Sequence, residues 1–309
     1  MPNSATHLHL TPRDLSLLQL VYAYHGCGVQ HLHDRFWADD SSYSATYRRV
    51  SRLVTARYLT VHRLPSLTGQ GSGKTLLMLG PEGRRVIAEE LDIPMAHLPR
   101  QKLVTSALFL QHHFAICDFR VALELATDDG SLLSLEGWTT ELELRRRPMR
   151  ITDPQVKPGE AARSITLVPD GAFILSFDGA RQYGYLEQDM GTEAPKRVLV
   201  KLRGYLLHQR ADAVPLFFVT TSERRRDLVR QLAATQAAEL QADATMIFVT
   251  TQTAIRKTTV LQAPIWYQAG VDQPVAIVPM APSLDSDVSM KQTPTRPLVV
   301  EHVLVAGRR

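Results

Sequence analysis

Residues 165–193 read ITLVPDGAFILSFDGARQYGYLEQDMGTE. Two strand-like stretches, 165–177 and 183–189, flank a turn. Apolar Ile174, Leu175 and Leu186 around it suggest central, buried strands. Side chains alternate along a strand, so Glu187 and Asp189 share one face. If Asp170 lies on the neighbouring strand of the hairpin, its carboxylate joins theirs. Carboxylates buried in a sheet are costly unless a cation or metal meets them. Lys201 and Tyr205 follow on a helix expected over 195–209. Asp170, Glu187 and Asp189 would together offer oxygen ligands suited to Mg2+. Such an ion activates water and offsets phosphodiester charge, while a nearby lysine orients the water or stabilises the pentacovalent state. The same spacing fits solvated strand edges or a salt-bridge cluster equally well.

Outward from this stretch, a long helix is expected at 102–126 and strands at 132–138 and 141–144. A Pro- and charge-rich loop follows at 145–163. Beyond the 195–209 helix come an apolar strand at 214–220, a helix at 222–240 and a strand at 245–250. This order describes an α/β layer structure with a mixed sheet, its later strands parallel through a right-handed crossover. From 272 the Pro/Ser/Thr-rich tail has little periodicity before 298–305.

The N-terminal third has a different rhythm. Thr11-Pro12-Arg13-Asp14 opens a helix with a cap, a first-turn proline and an acidic residue at the positive end. Gly26 and Gly28 end it, and a short helix is expected at 29–37. Asp39 to Ser42 then start a third, running to about Arg57. On this third helix Tyr43, Tyr47, Val50, Leu53 and Val54 form an apolar face, and Ser41, Ala45, Arg48 and Arg52 form another, with Arg49 beside them. A hairpin at 57–79 and a closing helix from Pro81 complete the order of a winged helix-turn-helix. Its third helix would enter the major groove, and Arg63 and Lys74 on the hairpin would lie near phosphates. Tyr43, Arg48, Arg49, Arg52, Arg63 and Lys74 are the candidate DNA contacts.

The chain has 309 residues, 44% hydrophobic and 21% charged, with a net charge of +4. That length suits two domains: a winged helix at 1–92, a linker at 93–103, an α/β domain at 104–271 and an extension at 272–309. The basic balance, with a pI near 9.1, fits an anionic partner. Two widely spaced cysteines, Cys27 and Cys117, point to a reducing compartment. With no signal-like start and no long apolar run, a cytoplasmic protein without membrane association is expected.

Other motifs carry less. Gly69-Gln70-Gly71-Ser72-Gly73-Lys74-Thr75 resembles a P-loop, but Thr68 stands where the first glycine belongs and no helix pattern follows. The histidines, including His31, His33, His112 and His113, have no cysteine at finger spacing. Arg145-Arg146-Arg147 and Arg224-Arg225-Arg226 read first as solvated faces and second as phosphate contacts.

The runs Leu167-Val168-Pro169-Asp170-Gly171-Ala172-Phe173 and Tyr185-Leu186-Glu187-Gln188-Asp189-Met190-Gly191-Thr192-Glu193, with Lys201 and Tyr205, resemble the replication-relaxation family. His113 with Asp118, and Trp138-Thr139-Thr140-Glu141, match its pattern too. The family is bacterial and often encoded on plasmids and integrative elements. The resemblance implies an N-terminal winged helix followed by a mixed-sheet α/β domain similar to restriction endonucleases of the PD-(D/E)XK type. It implies a metal site at Asp170 and Glu187, with Glu141 or His113 as further catalytic members. Asp189 stands where that nuclease pattern has lysine, so Lys201, or Lys196, would supply the cation. The expected function is that of a double-stranded-DNA-binding protein acting in plasmid or mobile-element replication or transfer, with Mg2+-dependent nicking. Other replication or transfer proteins and a second copy of the chain are the expected partners. The alternative is a transcription regulator whose α/β domain senses a ligand or dimerises without cleaving.

Overall fold

The computed structural model describes residues 8–37, 42–63, 75–98, 106–128, 133–154, 163–177 and 180–277. Lys74, the glycine-rich segment 69–73 and the tail beyond 277 lie outside these residues. The chain is mixed α/β, and its described residues divide into two compact units, one up to Val121 and the other from Ala122.

The first unit begins with α1 (Pro12–Ala23), where Thr11 and Asp14 form a capping box and Pro12 takes the first turn. The chain turns through His25 and Gly26, both at positive φ. Cys27 then forms an isolated antiparallel bridge with Leu77. Helices α2 (Val29–Phe36) and α3 (Tyr43–Thr55) follow. Strands β1 (Leu59–Arg63) and β2 (Thr75–Leu79) pair antiparallel, and α4 (Pro81–Glu90) closes on them. Leu17, Leu18, Val21, Leu32, Leu53, Leu59, Leu76, Leu77 and Ile87 are all buried. Gly83 shows how closely α4 packs: a Cβ there would lie 2.1 Å from the Tyr58 carbonyl oxygen.

Helix α5 (Ala107–Thr127) spans the division at Val121/Ala122. The division therefore falls later than the expected 93–103 linker. The reason is packing: Leu110 and Phe114 of α5 form a cluster with Leu76 and Met78 of β2.

The second unit is built on a seven-stranded sheet, in the order β11-β10-β9-β8-β7-β6-β3. Along the chain it comprises β3 (Leu133–Thr140), α6 (Glu141–Leu144), β4 (Met149–Asp153), β5 (Arg163–Leu167), β6 (Gly171–Phe177), β7 (Ala180–Asp189), α7 (Pro195–Gln209), β8 (Leu216–Thr220), α8 (Glu223–Leu240), β9 (Ile247–Thr251), β10 (Trp266–Gln268) and β11 (Pro274–Val275). β3, β6 and β7 pair antiparallel, β7, β8 and β9 parallel, and β9, β10 and β11 antiparallel. β3 carries a bulge between Leu135 and Gly137.

Helices α7 and α8 bury Leu202, Leu206, Val229 and Ala233 with Leu216, Phe218, Ile247 and Val249. Alternation sends Phe217 to the opposite face, where its ring stacks on Phe248 and meets Trp266 edge-on. Strands β4 and β5 form a separate two-stranded sheet. It packs so closely on α7 that a Cβ at Gly204 would lie 2.9 Å from the Ile165 side chain. Arg203 clamps β4 to α7 through both Asp153 oxygens, at 2.6 and 2.8 Å.

Three local expectations need correction. Residues 141–144 form a helical turn, α6, because Thr140 and Glu143 make a capping box. The loop expected at 145–163 contains β4. The single strand expected over 165–177 is broken between β5 and β6 at Val168-Pro169-Asp170, since proline has no N–H to give a ladder.

The first unit depends on one buried ion pair. Asp14, 1% exposed, accepts from Arg49 Nε at 2.7 Å and also from its Nη2. Burial alone would raise the Asp14 carboxyl, but the hydrogen bonds from Arg49 and Thr11 and the guanidinium charge hold it below 3.8. Arg49→Ala leaves that carboxylate buried without its cation, and a loss of about 3 kcal/mol in urea unfolding is expected. A lowered carboxyl pKa stabilises the fold above pH 3.8 and stops doing so as pH falls through the lowered value. The gap between wild type and variant should therefore close below about pH 4; a gap constant down to about pH 2 would contradict this.

Candidate functional site

Helix α3 has two faces. Thr46, Val50 and Leu53 are buried, with Thr46 Oγ1 2.9 Å from His33 Nδ1. Tyr43, Ser44, Tyr47, Arg48, Ser51 and Arg52 are exposed. Tyr43 and Tyr47, which the sequence groups with Val50, Leu53 and Val54 on one apolar face, are 43% and 56% exposed. They are displaced from the interior because the Thr46/Val50/Leu53 stripe is the buried one and α3 packs on α2 and β1, leaving the tyrosines at its margin, where Tyr43 keeps an edge-on contact with the His33 ring. Arg49 is half-buried and spent on Asp14, which removes it from the set of candidate DNA contacts. Arg48, Arg52 and, on β1, Arg63 face solvent. Lys74 lies outside the described residues.

In the second unit, Asp170 sits just before β6 and is tied to β7 twice. Its N–H donates to the Leu186 carbonyl at 2.9 Å, and its Oδ2 accepts from the Gln188 N–H at 2.7 Å. Glu187, on β7, is 2% exposed. Its Oε2 accepts from Lys201 Nζ at 2.8 Å and its Oε1 from the Tyr205 hydroxyl at 2.6 Å. The two donors are one helical turn apart on α7, so both reach the same carboxylate. Lys201 Nζ is also 3.4 Å from Glu193 Oε2.

Burial raises the Glu187 carboxyl, to about 7; Lys201 opposes this and the charge of Asp170 adds to it. Burial works against the Lys201 charge as well, but Glu187, Asp170 and Glu193 outweigh it and hold the ammonium up. Both partners thus move upward. At neutral pH Lys201 is charged, and Glu187 takes a proton more readily than an ordinary carboxylate. Burial, and next the charge of Glu187, push Tyr205 well above its usual value, so it acts as a hydrogen-bond donor.

Asp189 does not join this cluster. It shares a sheet face with Glu187 but reaches α8 instead, where Arg225 donates to it at 2.5 and 3.3 Å. Its Oδ1 also accepts from the Gly191 N–H at 2.9 Å. The expected three-carboxylate pocket therefore resolves into Asp170 and Glu187 with Lys201, and Asp189 with Arg225. Among the described residues, no three His, Cys, Asp or Glu side chains form a group able to hold a metal. Glu141 is paired with Arg145 along its own turn.

His113 belongs to the first unit, where its Nε2 donates to the Gly26 carbonyl at 2.8 Å. Burial lowers it to about 4, which keeps the ring neutral. The role of Arg225 was missed in the sequence, where 224–226 read as a solvated run. The available signal was Ser222, whose Oγ caps α8 and starts it just past the end of β8, beside β7.

The Glu187 shift has a measurable consequence in metal-free protein. A carboxyl raised from 4.5 to about 7 holds its proton in the fold after the unfolded chain has lost it. Its contribution to stability therefore declines as pH rises from 4.5 to about 7. Glu187→Gln does not titrate, so urea midpoints should shift in the variant's favour between about pH 5 and about pH 8. An unchanged difference would show that the carboxyl titrates normally.

The model of the family described as replication-relaxation matches residues 18–213. No curated protein and no solved structure matches the chain. The matched span is more than half of the chain and includes α3, Asp170, Glu187 and Lys201. On that match, the chain belongs to the replication-relaxation family.

Proposed function

We propose that the chain binds double-stranded DNA through its first unit, a winged helix-turn-helix with α3 as recognition helix and β1–β2 as wing. Family membership suggests a role in replication or transfer of plasmid or mobile-element DNA. The observation that carries the DNA reading is the outward face of α3. Tyr43, Tyr47, Arg48 and Arg52 stand exposed there, while the Asp14–Arg49 pair fixes the helix from behind. Arginines on such a face donate to guanine edges or phosphates, and small Ser44 and Ser51 allow close approach to the groove floor. Homodimerisation and docking to other replication or transfer proteins belong to the same proposal. Among the described residues no helix is long and apolar enough to cross a membrane.

The paired acidic residues favour a second activity, Mg2+-dependent nicking in the second unit. Asp170 and Glu187 fit a hard cation in donor chemistry, since both offer carboxylate oxygens, one from just before β6 and one from the neighbouring β7. When bound, the ion would supply an activated water and offset phosphodiester charge. Lys201 and Tyr205 occupy both Glu187 oxygens in this state. For Glu187 to hold the ion, Lys201 would have to yield Oε2 and would then be available as a cation for a phosphate, while Tyr205 would keep the carboxylate oriented. A non-cleaving regulator would keep the Lys201–Glu187 pair closed.

Two experiments separate these readings. Arg48→Ala with Arg52→Ala should weaken duplex binding and flatten its logarithmic salt dependence by roughly 2, about 0.9 for each phosphate that is no longer neutralised. Unchanged affinity and slope would remove α3 as the reading helix. Mg2+-dependent nicking of supercoiled plasmid should fall to background in Asp170→Ala and in Lys201→Ala. Full activity in both would remove Asp170 and Lys201 as the nicking centre, and absence of nicking in the wild type would favour the regulator.

A further inference from the structure

We infer that the sheet edge beside Asp170 and Glu187 is a second nucleic-acid surface, a phosphate track running across five strands of the second unit. The inference rests on the DNA reading above and extends it to residues outside α3.

The strand register lines up one edge. Thr140 at the end of β3 pairs with Gly171 at the start of β6, and Gly171 with Leu186 of β7. Asp189 at the end of β7 pairs with Thr220 at the end of β8, and Thr220 with Thr251 at the end of β9. Every segment leaving this edge carries exposed cations: Arg146 and Arg147 after α6, Lys196 and Arg197 at the start of α7, Arg224 at the start of α8, and Lys257 beyond β9. None of these six makes a side-chain ion pair among the described residues. The acidic groups of the same edge are largely engaged: Asp189 with Arg225, Glu141 with Arg145, Asp227 with Arg226, and Glu193 near Lys201. Glu143 and Glu223 are exposed there, and against the six exposed cations they leave the balance basic.

The acidic pair at Asp170 and Glu187 lies within this row, with Arg146 and Arg147 on one side and the other cations on the other. Five strands at about 4.8 Å spacing span about 19 Å. At about 3.4 Å per base pair, that length matches roughly six base pairs of duplex. The carboxyl ends of parallel strands are also where open α/β sheets bind ligands. A polyanion with regular charge spacing fits this row, and the row would carry its backbone past Lys201.

The test replaces Lys196, Arg197, Arg224 and Lys257 with alanine in the full chain, since all four are exposed and outside the core. Binding of a random-sequence fluorescent duplex is titrated across salt concentrations, with circular dichroism as the folding control. Weaker binding is expected, with a logarithmic salt slope flattened by roughly 0.9 for each phosphate the variant leaves unneutralised. The loss should add to that of Arg48→Ala with Arg52→Ala. If the four-residue variant keeps wild-type affinity and slope while the α3 variant loses both, the track is overturned and the α3 reading stands. If only the four-residue variant loses binding, the track stands and α3 falls. Charge reversal at Lys196 and Arg197 to Glu gives the same reading at higher sensitivity, and unchanged affinity there also overturns the track.

Discussion

The Glu187 carboxylate cannot be buried alone, and much of the second unit follows from that constraint. A buried anion needs partners that replace its lost water. Lys201 and Tyr205 supply them from successive turns of α7. Meeting them fixes how α7 rotates on the sheet. Its opposite side then faces β4 and β5, where Gly204 gives the room they need and Arg203 grips Asp153. The same carboxylate lies next to Asp170, so one electrostatic requirement positions both the helix and the candidate chemistry.

Much of this was legible in the sequence, because it depends on local periodicity. Alternation along 183–189 placed Glu187 and Asp189 on one face, and the signals at Pro195 and Ser222 started α7 and α8. Caps and alternation act within a few residues and leave a local trace. What escaped depends on contacts between distant residues. Nothing near Asp189 shows that Arg225, on another helix, takes its charge. Nothing in α3 shows whether the tyrosines or the Thr46/Val50/Leu53 stripe wins the interior. Arg49 looked like its exposed neighbours until Asp14, 35 residues earlier, claimed it.

The two units use charge differently. In the first, the Asp14–Arg49 pair is buried while Arg48 and Arg52 of α3 are left to solvent. In the second, Lys201, Arg203 and Arg225 each face inward to a carboxylate, while flanking cations on the same helices stay outside. Inward arginine and lysine set geometry, since an unpaired buried charge is strongly destabilising. Outward ones have little structural duty, and their net worth lies in long-range attraction.

The borders of the large sheet carry a consequence of their own. One ends on β11, two residues long and beginning with Pro274; the other is β3, bulged at Glu136, whose carboxylate pairs with Arg181. Proline offers no hydrogen for another ladder, and a bulge with an ion pair disturbs the register a recruited strand would need. Neither margin is suited to zipper-like growth with a second copy. Any self-association is steered toward helical surfaces, and the protein is guarded against strand-by-strand aggregation.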